Sequence, residues 1–309
     1  MELADRIERR LKLQDLRILM TVVQAGSMGK AAKQLGTAQP AISRAIANLE
    51  HMLGVPLLDR STHGVEATAF GHMVINRGTT VFDELRQAVS DIEFLADPTA
   101  GEVRIATSIA AAVSFVSAVI DRLSRQYARL SFDVLSTDNV TARKALAERR
   151  VDLTIGHLIE RVPDSMSTEI LLHEPHVVVM GSKSALVRRR NLRLKDLVHE
   201  RWMLPPPGSP FGSVVHEAFR SEGLDLPRAV ITSLLPLRSS LLPTGRFLMM
   251  VPQMVSDIGA DKRVVKRLPL LLPSTVRPFG IITVKNRSLS PPAELFIEHA
   301  RKLAATVVR

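Results

Sequence analysis

Residues 25–50, AGSMGKAAKQLGTAQPAISRAIANLE, constrain the fold of the chain more than any other stretch. Gln39 and Pro40 open a helix in which Ile42, Ile46 and Leu49 fall at i, i+4 and i+7. That spacing stacks the three on one side, where they must meet another apolar surface. The opposite side carries Gln39, Ser43 and Ala47, with Arg44 beside them. Pro40 suits the first helical turn, where its missing N–H costs nothing. A preceding short helix starts at Ser27, a good N-cap, and Ala31, Ala32 and Leu35 allow it to cross the second helix closely, with the turn at Gly36. From this pattern alone the pair reads either as an ordinary helical hairpin or as a helix-turn-helix. In the second reading short hydrogen-bonding side chains near a helix N-terminus reach base edges while free first-turn N–H groups meet phosphate.

The residues that follow favour the second reading. Residues 51–60, HMLGVPLLDR, and 66–71, EATAFG, predict a turn and a two-stranded wing with Arg60, Ser61, Thr62 and His63 at its tip. Here the chain resembles the LysR-type transcriptional regulators. Their N-terminal pattern is met by Gly26-Ser27, Ala31-Ala32, Leu35, Gln39-Pro40-Ala41, Ser43-Arg44, Leu49-Glu50, Leu53-Gly54, Leu58, Arg60 and Thr68 to Gly71. Leu58 stands where Phe is usual, and Ala47-Asn48 replaces a more basic pair. The resemblance implies base reading by Gln39, Pro40, Ser43 and Arg44, and phosphate or wing contacts from Ser27, Lys30, Lys33, Thr37, Arg60, Ser61 and His63.

Charge does not simply follow that assignment. The chain of 309 residues carries a net charge of +10, yet residues 1–97 hold 11 Lys and Arg against 12 Asp and Glu, while residues 98–309 hold 30 against 19. Within the first part, Lys30, Lys33, Arg44, Arg60 and Arg77 cluster around the motif, as phosphate contact requires. The later excess, including Arg188-Arg189-Arg190, reads as solvated surface or as help with anionic ligands. No cysteine is present, which excludes a disulfide framework and thiolate metal sites. Residues 1–6 lack the pattern of a signal peptide. The longest uncharged stretch, 105–120, is too short for a membrane span. A cytoplasmic protein without a membrane partner is the expectation.

From 71 to 97 a long helix is predicted, with Val74, Val81, Ala88 and Leu95 seven apart and Gly78, Leu85 and Ile92 likewise. Such a seam pairs two helices or packs on its own domain. The family resemblance implies pairing through Val74, Val81, Leu85 and Ile92, giving a homodimer that commonly assembles into a homotetramer. Asp97-Pro98-Thr99-Ala100-Gly101 marks a boundary. Three regions are therefore expected: a winged helix-turn-helix over 11–70, a linker and dimerisation helix over 71–97, and an effector domain over 101–309.

Beyond residue 101, strands expected at 102–106, 131–135 and 151–155 alternate with helices at 115–127 and 140–148, which implies a parallel α/β sheet. Further strands are expected at 176–180, 201–204, 229–232, 247–251 and 280–284, and helices near 212–221 and 292–306. The last helix returns after a strand, which predicts interleaved lobes, 101–170 with 277–309 and 171–276. This resembles the periplasmic-binding-protein-like α/β effector domain of the LysR family. Residues 149–153, RRVDL, stand for its usual Gly-x-Leu-Asp-Leu, with Arg150 where Gly is common. Residues 202–210, WMLPPPGSP, resemble the subgroup of galactose-binding-protein regulators.

Ligands of open α/β sheets sit beyond the carboxyl ends of strands. Thr107 and Ser108, Ser136 to Asp138, Gly156 and His157, Gly208 and Ser209, and Thr232 and Ser233 occupy such places. The effector contacts expected are Thr107, Ser108, Thr137, Gly156, Gly208, Ser209 and Thr232, the resemblance pointing especially to Thr107, Ser108 and Thr137. Plain helix capping is the competing reading. A sugar, an organic acid or an aromatic acid would suit such a site.

Catalytic and metal signatures are weak. Ser27-Met28-Gly29-Lys30 matches Ser-x-x-Lys without its companion motifs, and His173 and His176 would project to opposite faces of a strand. No catalytic residues, metal or cofactor are expected. The chain reads as a regulator that binds promoter DNA, a small effector and RNA polymerase. The alternatives are a solute-binding protein without a regulatory role, which would leave the first 97 residues idle, or an enzyme on the same frame.

Overall fold

The computed structural model describes residues 7, 9–61, 64–232, 234–259 and 263–307, so Thr62, His63 and Ser233, placed above at the wing tip and at a strand end, lie outside the described residues. The chain divides into two compact units, one ending at Ala88 and the other starting at Val89.

The first unit is helical. Helix α1 (Leu13–Ala25) turns Leu16, Ile18, Leu19 and Val22 inward and ends on Gly26 at φ 67°, a left-handed C-cap that glycine accepts without strain. Helix α2 (Met28–Gln34) begins at Ser27, whose side-chain oxygen accepts the Lys30 N–H. Helix α3 (Gln39–Leu53) follows with Pro40 in its first turn and Ile42, Ile46 and Leu49 buried. Leu19, Ile42, Ile46 and Leu49 join Met28, Ala31, Ala32 and Leu57 in one core, each large side chain contributing roughly 1.5–3 kcal/mol. Strands β1 (Leu58–Ser61) and β2 (Gly64–Ala67) pair antiparallel as the expected wing.

Helix α4 (Ala69–Ala96) divides the predicted heptad seam. Val74 packs against the core of the first unit, and a Cβ on Gly78 would touch Met20 and Leu16 at 3.6 and 3.7 Å. Val74 therefore belongs to its own unit's core and not to a free seam, because the first turns of α4 close over α1. Beyond them Val81, Leu85, Ile92 and Leu95 are 40, 45, 66 and 82% exposed.

The second unit holds two five-stranded sheets. In the first, the order β4-β3-β5-β12-β6 comprises β3 (Ala100–Thr107), β4 (Arg129–Ser136), β5 (Leu153–His157), β6 (Met166–Glu174) and β12 (Arg277–Val284). In the second, the order β11-β7-β10-β8-β9 comprises β7 (His176–Gly181), β8 (Trp202–Leu204), β9 (Ala229–Ile231), β10 (Leu248–Pro252) and β11 (Val265–Arg267). Both sheets are mixed, which corrects the expectation of a parallel sheet. Strands β3, β4 and β5 are parallel, but β12 runs antiparallel to β5 and β6, and β7 runs antiparallel to β10 and β11.

The antiparallel strands arise where the chain crosses between lobes. Strand β6 reaches Glu174, so the lobe edge expected at 170/171 falls inside a strand. Sequence alone offered no strand there, because Ser167, Thr168, Glu169 and His173 keep the run half-exposed. Helix α5 opens as Ile109–Ala111, widens through a π turn at Ala112–Val116 and continues as Ser117–Gln126. It packs on the first sheet with α9 (Pro291–Val307) through Phe115, Val119, Leu123, Phe296 and Ala300. Helix α6 (Asn139–Ala147) ends on Arg149 at φ 56°. The left-handed position is thus Arg149 and not Arg150, where glycine was expected. Helices α7 (Pro210–Ser221) and α8 (Leu235–Leu241) belong to the second lobe.

Candidate DNA-reading and ligand sites

Of the residues expected to read bases, Gln39, Pro40 and Arg44 are exposed on α3. Ser43 differs: it is half-buried and its hydroxyl donates to Met28 Sδ at 3.1 Å, which orients it against α2. Lys30, Lys33, Thr37, Arg60 and Ser61 are exposed and Ser27 is a cap. The wing is held to α3 by one carboxylate, since Glu50 Oε1 accepts the N–H groups of Leu57 at 2.8 Å and Leu58 at 3.2 Å. Thr68 Oγ1 donates to Pro56 O at 2.8 Å and accepts the Gly71 N–H at 3.0 Å. A Cβ at Gly71 would lie 2.1 Å from Leu57 O, so only glycine fits. The Leu-Glu and Thr-x-x-Gly elements of the motif therefore build the support, and the exposed face of α3 is what the support presents.

In the second unit, the carboxyl ends of β3, β4 and β5 converge on the starts of α5 and α6. Thr107 is buried, donates its hydroxyl to Ile155 O at 2.7 Å, and accepts the Thr137 N–H on its carbonyl at 2.9 Å. Ser108 Oγ caps α5 through the Ala111 N–H at 3.3 Å. Asp138, not Thr137, caps α6: its carboxylate accepts the Thr141 N–H and hydroxyl, both at 2.9 Å, which hold its pKa below the usual value. Thr107, Ser108 and Gly156 line a small open concavity together with Asn139, Arg143 and Glu160, the last two forming an ion pair.

Gly208, Ser209 and Thr232 sit apart from that concavity, at the carboxyl ends of the second sheet. Ser209 Oγ accepts the Gly212 N–H at 3.0 Å and donates to Pro206 O at 2.6 Å, and Thr232 Oγ1 accepts the Leu234 N–H at 3.0 Å. The hydroxyls of Ser108 and Ser209 thus act as caps in this structure.

Between the lobes lies a cluster that sequence reasoning did not assemble. His157 ends β5, Glu174 ends β6 and His176 begins β7. His157 Nε2 lies 2.7 Å from Glu174 Oε2, and Glu174 Oε1 accepts the Met254 N–H at 2.5 Å. The His176 ring is 5.7 Å from His157 and 4.9 Å from Phe211. Its Nδ1 faces Thr275 O at 3.1 Å, and a carbonyl only accepts, so Nδ1 carries the proton. Burial, then the nearby His157 and Arg277, push this imidazole down to about 3, against the opposing pull of the Thr275 carbonyl. Neutral His176 therefore leaves Nε2 as a buried acceptor without a hydrogen-bond partner. The sequence signal was His173-Glu174-Pro175-His176, weighed only for metal. In the structure His173 is exposed on β6 and His176 buried on β7, and among the described residues no group of three or more His, Asp or Glu is arranged to hold a metal.

Asp152, from the Val-Asp-Leu element, is structural: it receives the Arg104 N–H at 2.9 Å and the Arg287 guanidinium at 3.1 Å. Trp202 and Phe219 meet edge to face in the second lobe's core.

A helix-turn-helix with a wing, followed by a two-lobed α/β unit, defines a ligand-responsive DNA-binding regulator. Residues 13–72 match the bacterial regulatory helix-turn-helix protein, lysR family, and residues 96–305 the LysR substrate binding domain; the chain belongs to the LysR family of transcriptional regulators. The HTH-type transcriptional regulator GbpR of Azospirillum brasilense is 32% identical over 98% of this chain and 90% of its own. Among solved structures, a full-length OxyR variant from Pseudomonas aeruginosa has a TM-score of 0.67 at 20% identity, covering 96% of this chain and 95% of that one. CbnR, a LysR family transcriptional regulator, has a TM-score of 0.63 at 20% identity over 95% of this chain and 99% of its own. The relatives are transcriptional regulators, which removes the reading as a solute-binding protein without a regulatory role.

Proposed function

We propose that α3 reads operator bases through Gln39, Pro40, Ser43 and Arg44, while Ser27, Lys30, Lys33, Thr37, Arg60, Ser61 and His63 contact phosphate. The observation that carries this reading is the polar, exposed face of α3 backed by fully buried Ile42, Ile46 and Leu49. The exposed stripe of Val81, Leu85, Ile92 and Leu95 pairs with the same helix of a second copy, giving a dimer or a tetramer of such dimers. Each dimer reads two half-sites. The protein acts in the cytoplasm, where its DNA is, and relays its response to RNA polymerase; it is not an enzyme.

The small-molecule effector sits between the lobes, against the backbone around Thr107, Ser108, Thr137 and Gly156 on one side and Gly208, Ser209 and Thr232 on the other. The helix starts on both sides favour an oxygen-rich sugar or acid, and His176 Nε2 adds an acceptor for a ligand hydroxyl or N–H. Thr107 contributes its position more than its hydroxyl, which is already bonded to Ile155.

Selection of bound fragments from genomic DNA tests the first part. The wild type enriches a two-fold-related motif, whereas Gln39→Ala/Ser43→Ala loses roughly 1–3 kcal/mol of base discrimination per good contact removed. Equal enrichment by both proteins would refute base reading by α3.

A further inference from the structure

The basic excess of the chain lies in the second unit, and the strand register gathers much of it at one edge. Strands β8, β9 and β10 run parallel, so their amino ends share an edge with the end of β7, opposite the carboxyl ends where the lobes meet. Met180 pairs with Leu248, Leu248 with Trp202, and Trp202 with Ala229. One to three residues beyond that line stand Lys183, Arg246, Arg201 and Arg228, all exposed. At about 4.8 Å between neighbouring strands the row spans about 14 Å, a length over which duplex DNA presents roughly eight phosphate charges.

The connection from β7 to β8 extends the row. Its Leu186, Leu192, Leu194 and Leu197 are buried in the second lobe's core, and Trp202 Nε1 donates to Leu197 O at 2.8 Å. The outward positions are Arg188, Arg189, Arg190, Arg193 and Lys195, all exposed. None of the cations named in this edge has a side-chain hydrogen bond or ion pair among the described residues. The acids of the same stretch are Asp196, whose carboxylate accepts the Arg193 backbone N–H at 2.9 Å, and Glu200.

We infer that the amino edge of the second sheet, with the Arg188 to Lys195 connection, is a phosphate-gripping surface that holds duplex DNA without reading its sequence. A protein partner of opposite charge is the competing occupant. Protein interfaces are anchored by apolar or aromatic side chains at their centre, and no large apolar side chain between residues 183 and 201 is exposed. Phosphate contact needs no such anchor: guanidinium and ammonium groups bond the oxygens directly. The inference rests on DNA binding by the helix-turn-helix unit and adds a second contact to it. It gives a role to charges that base reading leaves unused.

The test measures binding of the full chain to a mixed-sequence duplex of about 60 base pairs across a salt series. With Arg188→Gln/Arg189→Gln/Arg190→Gln/Arg193→Gln, the slope of log affinity against log salt flattens by roughly 2–4, at about 0.9 per lost phosphate contact. Affinity near 0.1 M salt falls about tenfold or more, while the preference for genomic fragments over mixed sequence is unchanged. The strand-edge variant Arg201→Gln/Arg228→Gln/Arg246→Gln shifts the slope in the same direction and guards against a local defect in the first. Gln39→Ala does the opposite, losing fragment preference with the slope nearly kept, so failure of base reading and failure of this surface are told apart. A slope unchanged in both edge variants overturns the inference. Unchanged DNA binding with reduced transcription by purified RNA polymerase also overturns it, in favour of an acidic protein surface.

Discussion

The proposed recognition face of the first unit is drawn from a single helix, whereas the ring cluster of the second is drawn from five separate elements. Gln39, Ser43 and Arg44 are neighbours because one turn of α3 makes them so. His157, Glu174, His176, Phe211 and Thr275 become neighbours only when two sheets are built and the chain crosses between them. Local geometry makes the first site robust to everything except loss of its support. The second depends on the placement of strand ends contributed by both lobes.

Three changes break or sharpen that contrast, in falling order of size. Gly71→Ala forces a methyl against Leu57 O, where a Cβ would stand only 2.1 Å away, and backbone cannot yield as a flexible side chain does. A loss of about 3 kcal/mol is expected, with DNA binding lost alongside it, read from urea unfolding and fragment binding. A stability change below about 0.5 kcal/mol would show that the wing support is not rigid.

The second change is His176→Gln. The native imidazole resists protonation until about pH 3, while the unfolded chain takes up its proton near 6.5. The unfolded state therefore binds more protons below 6.5, so this stability is complete above that pH and is lost as the pH falls. The loss is about 1.4 kcal/mol per pH unit between roughly pH 6 and pH 4. His157, which Glu174 holds, and Arg277 act on the same group and remain in the variant. Urea midpoints at the two ends of that window then fall less steeply for His176→Gln than for the wild type; parallel lines would assign the acid sensitivity elsewhere.

Smallest is Arg149→Gly, which relieves a left-handed backbone at the end of α6. A gain of up to about 1 kcal/mol is expected in thermal unfolding, with effector and DNA affinities unaltered. A loss would mean that the Arg149 side chain contributes more than its backbone costs.

Sequence made the first unit readable because its constraints are short-ranged. Periodicity put Ile42, Ile46 and Leu49 inside, and the Ser27 cap and Pro40 marked helix starts within one residue. It did not show that Ser43 is half-buried against Met28, a contact between helices, or that Val74 packs on the core of its own unit, since a heptad does not tell which partner closes over it. In the second unit β6 and β11 went unseen: half-exposed and edge strands lack the apolar run that betrays a buried one. The antiparallel return of β12 followed from the same blindness. His176 was visible as a residue and not as a site, because its neighbours His157 and Thr275 lie far away along the chain.

The single carboxylate of Glu50 holds both N–H groups that begin the wing, and it stands on the same helix as Gln39 and Arg44. Helix and wing therefore behave like two teeth cut in one key. With the helix on bases and the wing on the backbone as proposed, the distance along the duplex between the two contacts is set by the protein. A base substitution in a binding site for such a key costs one contact at a time, whereas an inserted or deleted base pair between the two footprints throws both out of step at once.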